Sequence, residues 1–162
     1  MNWENVLTFD GTLSKYTLYL DAYLTAPTTP QALEFGVSHA VGGNDYPFKF
    51  QCDFKDSKVW RVWDEANQTW LSTSLACSSS QFPANSWVHL SFDFQRTSGN
   101  QLNYQQFTIA SDANGVTTTS VNLNTNPSAE TNNLEVHFKQ FGPSTASTSF
   151  TVWIDKMNVT AQ

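Results

Sequence analysis

The sequence predicts an all-β sandwich, and three features of the chain lead to this prediction. Apolar and polar residues alternate along most of it, as in residues 87–94, where the apolar positions are Val88, Leu90, Phe92 and Phe94. Helical periodicity is almost absent. Turn-forming pairs such as Asn114-Gly115 separate the alternating runs. Strands this long, without helices between them, are typical of a curved antiparallel jelly roll.

About eleven strands follow in chain order, each an alternating run bounded by turn residues. They are predicted at residues 6–9, 14–24, 32–39, 46–54, 58–64, 69–75, 87–95, 102–110, 116–123, 134–141 and 149–160. The breaks carry Gly, Pro, Asn or Asp, notably at Asp10-Gly11, 27–30, 42–45 and 98–100. The polar stretch 123–133 is predicted to be a long loop, and residues 1–162 a single domain.

Composition excludes several classes of partner. Of 162 residues, 40% are apolar and only 14% are charged, and the net charge is −6. This charge argues against nucleic acid and against an anionic membrane surface, and no apolar run is long enough for membrane insertion. Low charge with many Ser, Thr, Asn and Gln residues is common in secreted β-proteins. We therefore expect an extracellular protein, although no signal sequence is visible.

Cys52 and Cys77 are expected to form a disulfide, with two free thiols as the alternative. Their spacing fits no zinc or haem signature. Cys52 shares its parity with Phe48 and Phe50 and should therefore point into the core. A bridge over this separation would contribute about 3 kcal/mol.

The second face of the predicted strands is unusually rich in residues suited to sugar binding. Aromatic rings can stack on the apolar face of a pyranose, while neighbouring polar groups bond its hydroxyls. Ordinary packing is the alternative for any one Trp. The candidate ligand-binding residues are Tyr19, Asp21, Tyr23, Arg61, Trp63, Trp87, His89, His137 and Trp153.

Trp60, Trp63 and Trp70 lie within eleven residues of one another. They predict either a binding platform or a tight hairpin with its turn at residues 66–68, pinned by cross-strand aromatic pairs.

The closing segment 150–160 (FTVWIDKMNVT) resembles the last strand of many carbohydrate-binding jelly rolls. Together with the overall architecture, it makes the chain similar to the concanavalin A-like lectin/glucanase superfamily. Residues 51–54 and 59–64 look like domains of bacterial extracellular proteins. The Glu-x-Asp-x-x-Glu pattern of glucanases is absent. Of the alginate-lyase motifs, only a loose similarity is present, at His137-Phe138-Lys139-Gln140.

The resemblance implies a candidate catalytic pair, because relatives place a Glu on each of two concave-sheet strands. Glu34 and Glu135 both fall on the second face of predicted strands. Retaining glycosidases need two carboxyls about 5 Å apart, and His89 or His137 could tune one pKa. The alternative is that both are ordinary strand positions far apart on the sheet.

The leading hypothesis is a carbohydrate-binding module that holds a polysaccharide or oligosaccharide on its concave sheet. One alternative is an endo-acting glycoside hydrolase using Glu34 and Glu135. A polysaccharide lyase would instead use His89 or His137 as base, with Arg61 or Lys139 neutralising charge. A structural or adhesive module without a glycan ligand is the third reading. No cofactor is required, although Asp155, and more weakly Asp10, could hold a structural calcium ion.

Overall fold

The computed structural model describes residues 2–7, 11–129, 134–142 and 149–162, with side chains described for 11–129, 135–142 and 149–162. The strands are β1 Asn2–Leu7, β2 Lys15–Leu24, β3 Ala32–Val41, β4 Asn44–Asp53, β5 Val59–Asp64, β6 Thr69–Ala76, β7 Trp87–Arg96, β8 Leu102–Ser111, β9 Gly115–Thr125, β10 Leu134–Phe141 and β11 Val152–Ala161. Within these residues no helix is long and apolar enough to cross a membrane.

The strands form two antiparallel sheets, which confirms the predicted all-β sandwich. Sheet A has six strands in the order β1-β10-β3-β4-β5-β6, and sheet B has five in the order β11-β2-β7-β8-β9. Strands that are neighbours in the chain are often neighbours in a sheet, but β10 inserts between β1 and β3, and β11 pairs with β2. The last two strands therefore lie in different sheets, and each pairs with a strand from the first part of the chain.

The core lies between the sheets and is largely aromatic. Phe48 and Phe50 of sheet A stack against Phe94 and Phe92 of sheet B, with ring centroids 4.3 and 4.4 Å apart. These rings have almost no exposed surface. Burying each one contributes about 2–3 kcal/mol relative to leaving it in water. Because successive side chains of a strand point to opposite faces, the other parity of every strand is directed away from this core.

Two predicted hairpins are present. Residues 112–114 connect β8 to β9, and Gly115 opens β9 with a φ of 66° that glycine adopts without strain. Between β5 and β6, Asp64 pairs with Thr69 around a turn that ends at Gln68. Trp63 and Trp70 are directly opposite each other in this hairpin, with ring centroids 5.1 Å apart. The hairpin interpretation of the tryptophan cluster is therefore confirmed.

The predicted disulfide is also confirmed. Cys52 at the end of β4 is bonded to Cys77 just after β6, and their Cα atoms lie 5.4 Å apart. Both residues are buried. The bridge ties the β5–β6 hairpin, at one edge of sheet A, to the centre of that sheet.

Candidate functional site

The structure divides the candidate site residues between two faces. All of them lie on the outward parity of their strands, but the strands belong to different sheets, whose outward faces point in opposite directions. The prediction that they share one face is therefore wrong. Sheet B carries Tyr19, Asp21, Tyr23, Trp87, His89, Trp153 and Asp155. Sheet A carries Glu34, Arg61, Trp63, Glu135 and His137.

On sheet B, three aromatic side chains stand side by side across three adjacent strands. Trp153 of β11 is paired with Tyr23 of β2, which is paired with Trp87 of β7. The Tyr23 ring lies 5.1 Å from Trp153 and 5.3 Å from Trp87, with edge-to-face geometry on both sides. Trp87 is 42% exposed and Trp153 is 49% exposed. We call these three residues the aromatic row.

Two residues further along the same strands lies a network of polar side chains centred on Asp21. Its Oδ1 atom accepts a hydrogen bond from the Tyr19 hydroxyl at 2.7 Å and lies 2.5 Å from Nδ1 of His89. Its Oδ2 atom lies 2.9 Å from Nζ of Lys156. Burial alone would raise the pKa of Asp21, but the bonds from His89, Lys156 and Tyr19 hold it below its usual value. The carboxylate is therefore ionised and fixes the positions of three polar groups beside the aromatic row.

Lys156 was not among the sequence candidates, and the reason is local. Strict alternation after Trp153 places Lys156 on the core side. A β-bulge between Asp155 and Asn158 adds one residue to β11, with Lys156 at a φ of 50°. As a result Asp155 and Lys156 both point outward, and the lysine reaches Asp21.

On sheet A, the two candidate glutamates lie on either side of one histidine. Nε2 of His137 is 3.2 Å from Oε1 of Glu34, and Nδ1 is 3.5 Å from Oε1 of Glu135. The second contact is an ion pair without hydrogen-bond geometry. Lys139 places its Nζ 3.5 Å from the same Glu34 oxygen. Both glutamates therefore lie in one cluster, the His137 cluster, rather than far apart on the sheet.

Gly36 makes room for this cluster. It lies opposite His137 in the β10–β3 ladder. A Cβ atom at Gly36 would come within 2.5 Å of the His137 ring and within 2.9 Å of the Phe48 carbonyl oxygen. The absent side chain leaves space for the imidazole, which has no exposed surface.

The charges in the His137 cluster are mutually stabilised. Burial would raise the pKa of Glu34, but His137 and Lys139 lower it below its usual value. The interaction with His137 likewise lowers the pKa of Glu135. Burial opposes protonation of His137, yet the two carboxylates raise its pKa above the usual value. Below pH 6.5 the cluster therefore consists of two carboxylates around an imidazolium.

The remaining sheet A candidates take part in contacts along β4, β5 and β6. Arg61 hydrogen-bonds Gln51 and lies 3.3 Å from the buried Asp53 carboxylate. Its guanidinium group also lies 5.7 Å from the Trp70 ring centroid. Trp63 packs on Trp70 and donates a hydrogen bond to Glu65 at 2.5 Å. These side chains brace the β5–β6 hairpin against the sheet.

Asp155, the stronger of the two proposed calcium ligands, does not lie in a cluster of metal donors. Asp155 is exposed, and its Oδ1 atom accepts a hydrogen bond from the Lys156 backbone N–H at 2.8 Å. In the part of the chain that the structure describes, no group of three or more His, Cys, Asp or Glu side chains could hold a metal ion. Asp10 lies outside the described residues.

No family model matches the chain, and no curated protein matches it. Similar solved structures include Scytalido-glutamic peptidase with a peptide-based transition-state analogue, at 10% identity and a TM-score of 0.45, covering 99% of this chain and 74% of that one. Alginate lyase Aly36B is 12% identical with a TM-score of 0.43, over 99% and 80% of the two chains. The CBM2 module of the evolved Dit protein of Lactobacillus casei BL23 phage J-1 is 10% identical with a TM-score of 0.38, over 87% and 69%. These comparisons assign the chain no activity.

Proposed function

We propose that the protein is a carbohydrate-binding module whose site is the outward face of sheet B. The observation that carries this proposal is the exposed aromatic row, Trp153, Tyr23 and Trp87, beside a fixed polar network. Exposed patches of large apolar side chains mark binding surfaces.

The chemistry of the aromatic row and of the polar network beside it suits a pyranose. A sugar ring can stack on an indole through its CH groups, because these carry partial positive charge and the ring face is negative. The polar groups that Asp21 holds in place lie two residues further along the strands. The equatorial hydroxyls of a stacked sugar would project toward them. Since Asp21 fixes Tyr19, His89 and Lys156 before any ligand arrives, little ordering accompanies binding.

Hydrolysis by Glu34 and Glu135 is the less favoured function. A glycosidase needs one carboxyl group that stays protonated and donates its proton to the leaving oxygen. Here the pKa values of both carboxyls are lowered. Of the two histidines that could serve a lyase as base, His137 is wholly buried and could not touch a substrate, and His89 is already bonded to the Asp21 carboxylate.

We also propose that the protein acts outside the cell. The support is the buried Cys52–Cys77 disulfide, because such bridges persist in oxidising compartments and are rare in reducing ones.

Binding to a panel of plant, algal and bacterial polysaccharides, measured by affinity electrophoresis and calorimetry, tests the proposal. Trp87→Ala and Trp153→Ala are expected to weaken binding by about tenfold or more. Trp70→Ala on sheet A is the matched control and should leave affinity unchanged. Release of reducing sugar should be absent, and therefore equal in wild type, Glu34→Gln and Glu135→Gln.

Failure of every polysaccharide to bind at millimolar concentration would instead favour a structural or adhesive module. Sugar release that disappears in Glu34→Gln would favour the hydrolase.

A further inference from the structure

The outward face of sheet B also has a recess, at the far end of its strands from the aromatic row. A cavity of about 330 Å³ opens there, and its lining includes Thr17, Asp93, Gln105, Gln106 and Thr160. Thr160, Thr17, Asp93 and Gln106 are successive partners across β11, β2, β7 and β8. The recess therefore crosses four strands on the same face as the aromatic row.

A second β-bulge shapes this recess. The ladder between β7 and β8 shifts register between Asp93 and Phe94, so that Gln105 is an extra residue of β8 and pairs with no residue of either neighbouring strand. Tyr104 and Phe107 are both buried in the core, so the two residues between them, Gln105 and Gln106, lie on the outward side. The bulge thus brings two adjacent amide side chains to a place where regular alternation would supply one.

The recess contains groups that recognise hydroxyls. The Thr17 hydroxyl donates to Oδ1 of Asp93 at 2.6 Å, which holds the carboxylate in place. Three glutamine amides, two threonine hydroxyls, the Asp93 carboxylate and the Lys15 ammonium line the recess and offer both donors and acceptors. Such a set can exchange hydrogen bonds with a polyol.

We infer that this recess is a second subsite for the same glycan, so that the ligand is an oligosaccharide chain lying along the strands. The inference rests on the proposed function of the aromatic row. Tyr23 and Thr17 are six residues apart on β2, which at strand rise corresponds to about 20 Å. A single sugar or a disaccharide cannot span that length, whereas a chain of several units can. Between the two ends, Asp21, His89 and Ser91 continue the polar surface.

The test measures how the effect of a substitution on affinity depends on the length of the oligosaccharide. Ladders of gluco-, xylo-, manno- and chito-oligosaccharides, from disaccharide to hexasaccharide, are titrated by calorimetry against the folded full chain. Asp93→Asn and Gln106→Ala should weaken hexasaccharide binding by about fivefold to tenfold and leave disaccharide binding unchanged. Trp153→Ala should weaken both. Two recess variants are used because Asp93 also bonds Thr17, and a thermal unfolding curve verifies that each is folded.

The outcomes separate the two proposals. If Asp93→Asn and Gln106→Ala bind hexasaccharide like wild type while Trp153→Ala does not, the second subsite is refuted and the proposed function stands. If no ladder binds, or if Trp153→Ala changes nothing, the proposed function fails and the inference fails with it.

Discussion

Replacing His137 by Phe should destabilise the protein by about 3 kcal/mol. The imidazole is wholly buried, and the Glu34 carboxylate that it contacts at 3.2 Å is only 5% exposed. Removing one member of a buried ion pair typically costs about 3–5 kcal/mol, because the other charge stays buried without a partner. Lys139 remains 3.5 Å from Glu34 and compensates in part, which places the expected loss at the low end of that range.

Two further variants isolate the electrostatic origin of this loss. Glu135 is 31% exposed, so Glu135→Gln should cost less than about 1 kcal/mol. The double variant Glu34→Leu/His137→Phe removes both buried charges and should recover most of the stability lost in His137→Phe, since apolar replacement of a whole buried pair is often neutral. Loss of packing alone would instead make the double variant less stable than either single one.

Urea unfolding at pH 6 measures these differences. For a slope of about 1–3 kcal/mol per molar urea, the midpoint of His137→Phe should fall by roughly 1 M or more. A loss below about 1 kcal/mol, or a double variant no more stable than His137→Phe, would refute the buried ion pair.

The pH dependence of stability gives an independent measurement on the wild type. The pKa of His137 is raised, so its contribution is complete below pH 6.5 and is lost as pH rises through the raised value. The pKa values of Glu34 and Glu135 are lowered, so their contribution is complete above pH 4.5 and is lost as pH falls. The contribution of the His137 cluster to stability should therefore peak between about pH 4.5 and 6.5. His137→Phe should flatten the decline on the alkaline side.

Three further variants test other parts of the structure. Gly36→Ala should cost about 1–3 kcal/mol, because its Cβ would meet the His137 ring at 2.5 Å, and adding His137→Ala should lessen that cost. The pair Cys52→Ala/Cys77→Ala should lower the unfolding free energy by about 3 kcal/mol, and a thiol reductant should then have no further effect. Asp21→Asn should cost about 1–2 kcal/mol at pH 7. That difference should vanish at acid pH, because the lowered pKa of Asp21 means its contribution is lost as pH falls below 3.8.

The positions of the strands were predictable because the alternation of buried and outward-facing side chains is visible within each short segment of the sequence. Along β7, the apolar parity of Val88, Leu90 and Phe92 is buried and the other parity points outward, as alternation alone predicts. The hairpin at Gly115 was predictable for a similar reason, because the turn needs a positive φ at one residue and glycine adopts it without strain.

The assignment of strands to sheets was not predictable in the same way. Parity says which side of a strand faces the core, but it does not say in which sheet that strand lies. Tyr23 and Trp63 have the same parity and face opposite directions, because β2 and β5 belong to different sheets. Pairing of β2 with β11, and of β10 with β3, joins residues that are 95 or more positions apart. No local pattern encodes such contacts.

The β-bulges escaped prediction because they break the alternation on which the prediction depends. Each adds an outward polar side chain to sheet B: Lys156 in β11 and one of the two glutamines, Gln105 and Gln106, in β8.

The contrast between the two outward faces supports placing the proposed site on sheet B. On sheet A the outward polar groups are largely buried and already paired with one another, as in Glu34 with His137 and Arg61 with Asp53. A ligand there would have to break ion pairs that stabilise the fold. On sheet B, Trp87 and Trp153 keep about half of their surface in water. A ligand that covers them would remove this apolar surface from water without disturbing a stabilising contact. Binding on this face is therefore favoured by apolar burial that does not occur on folding.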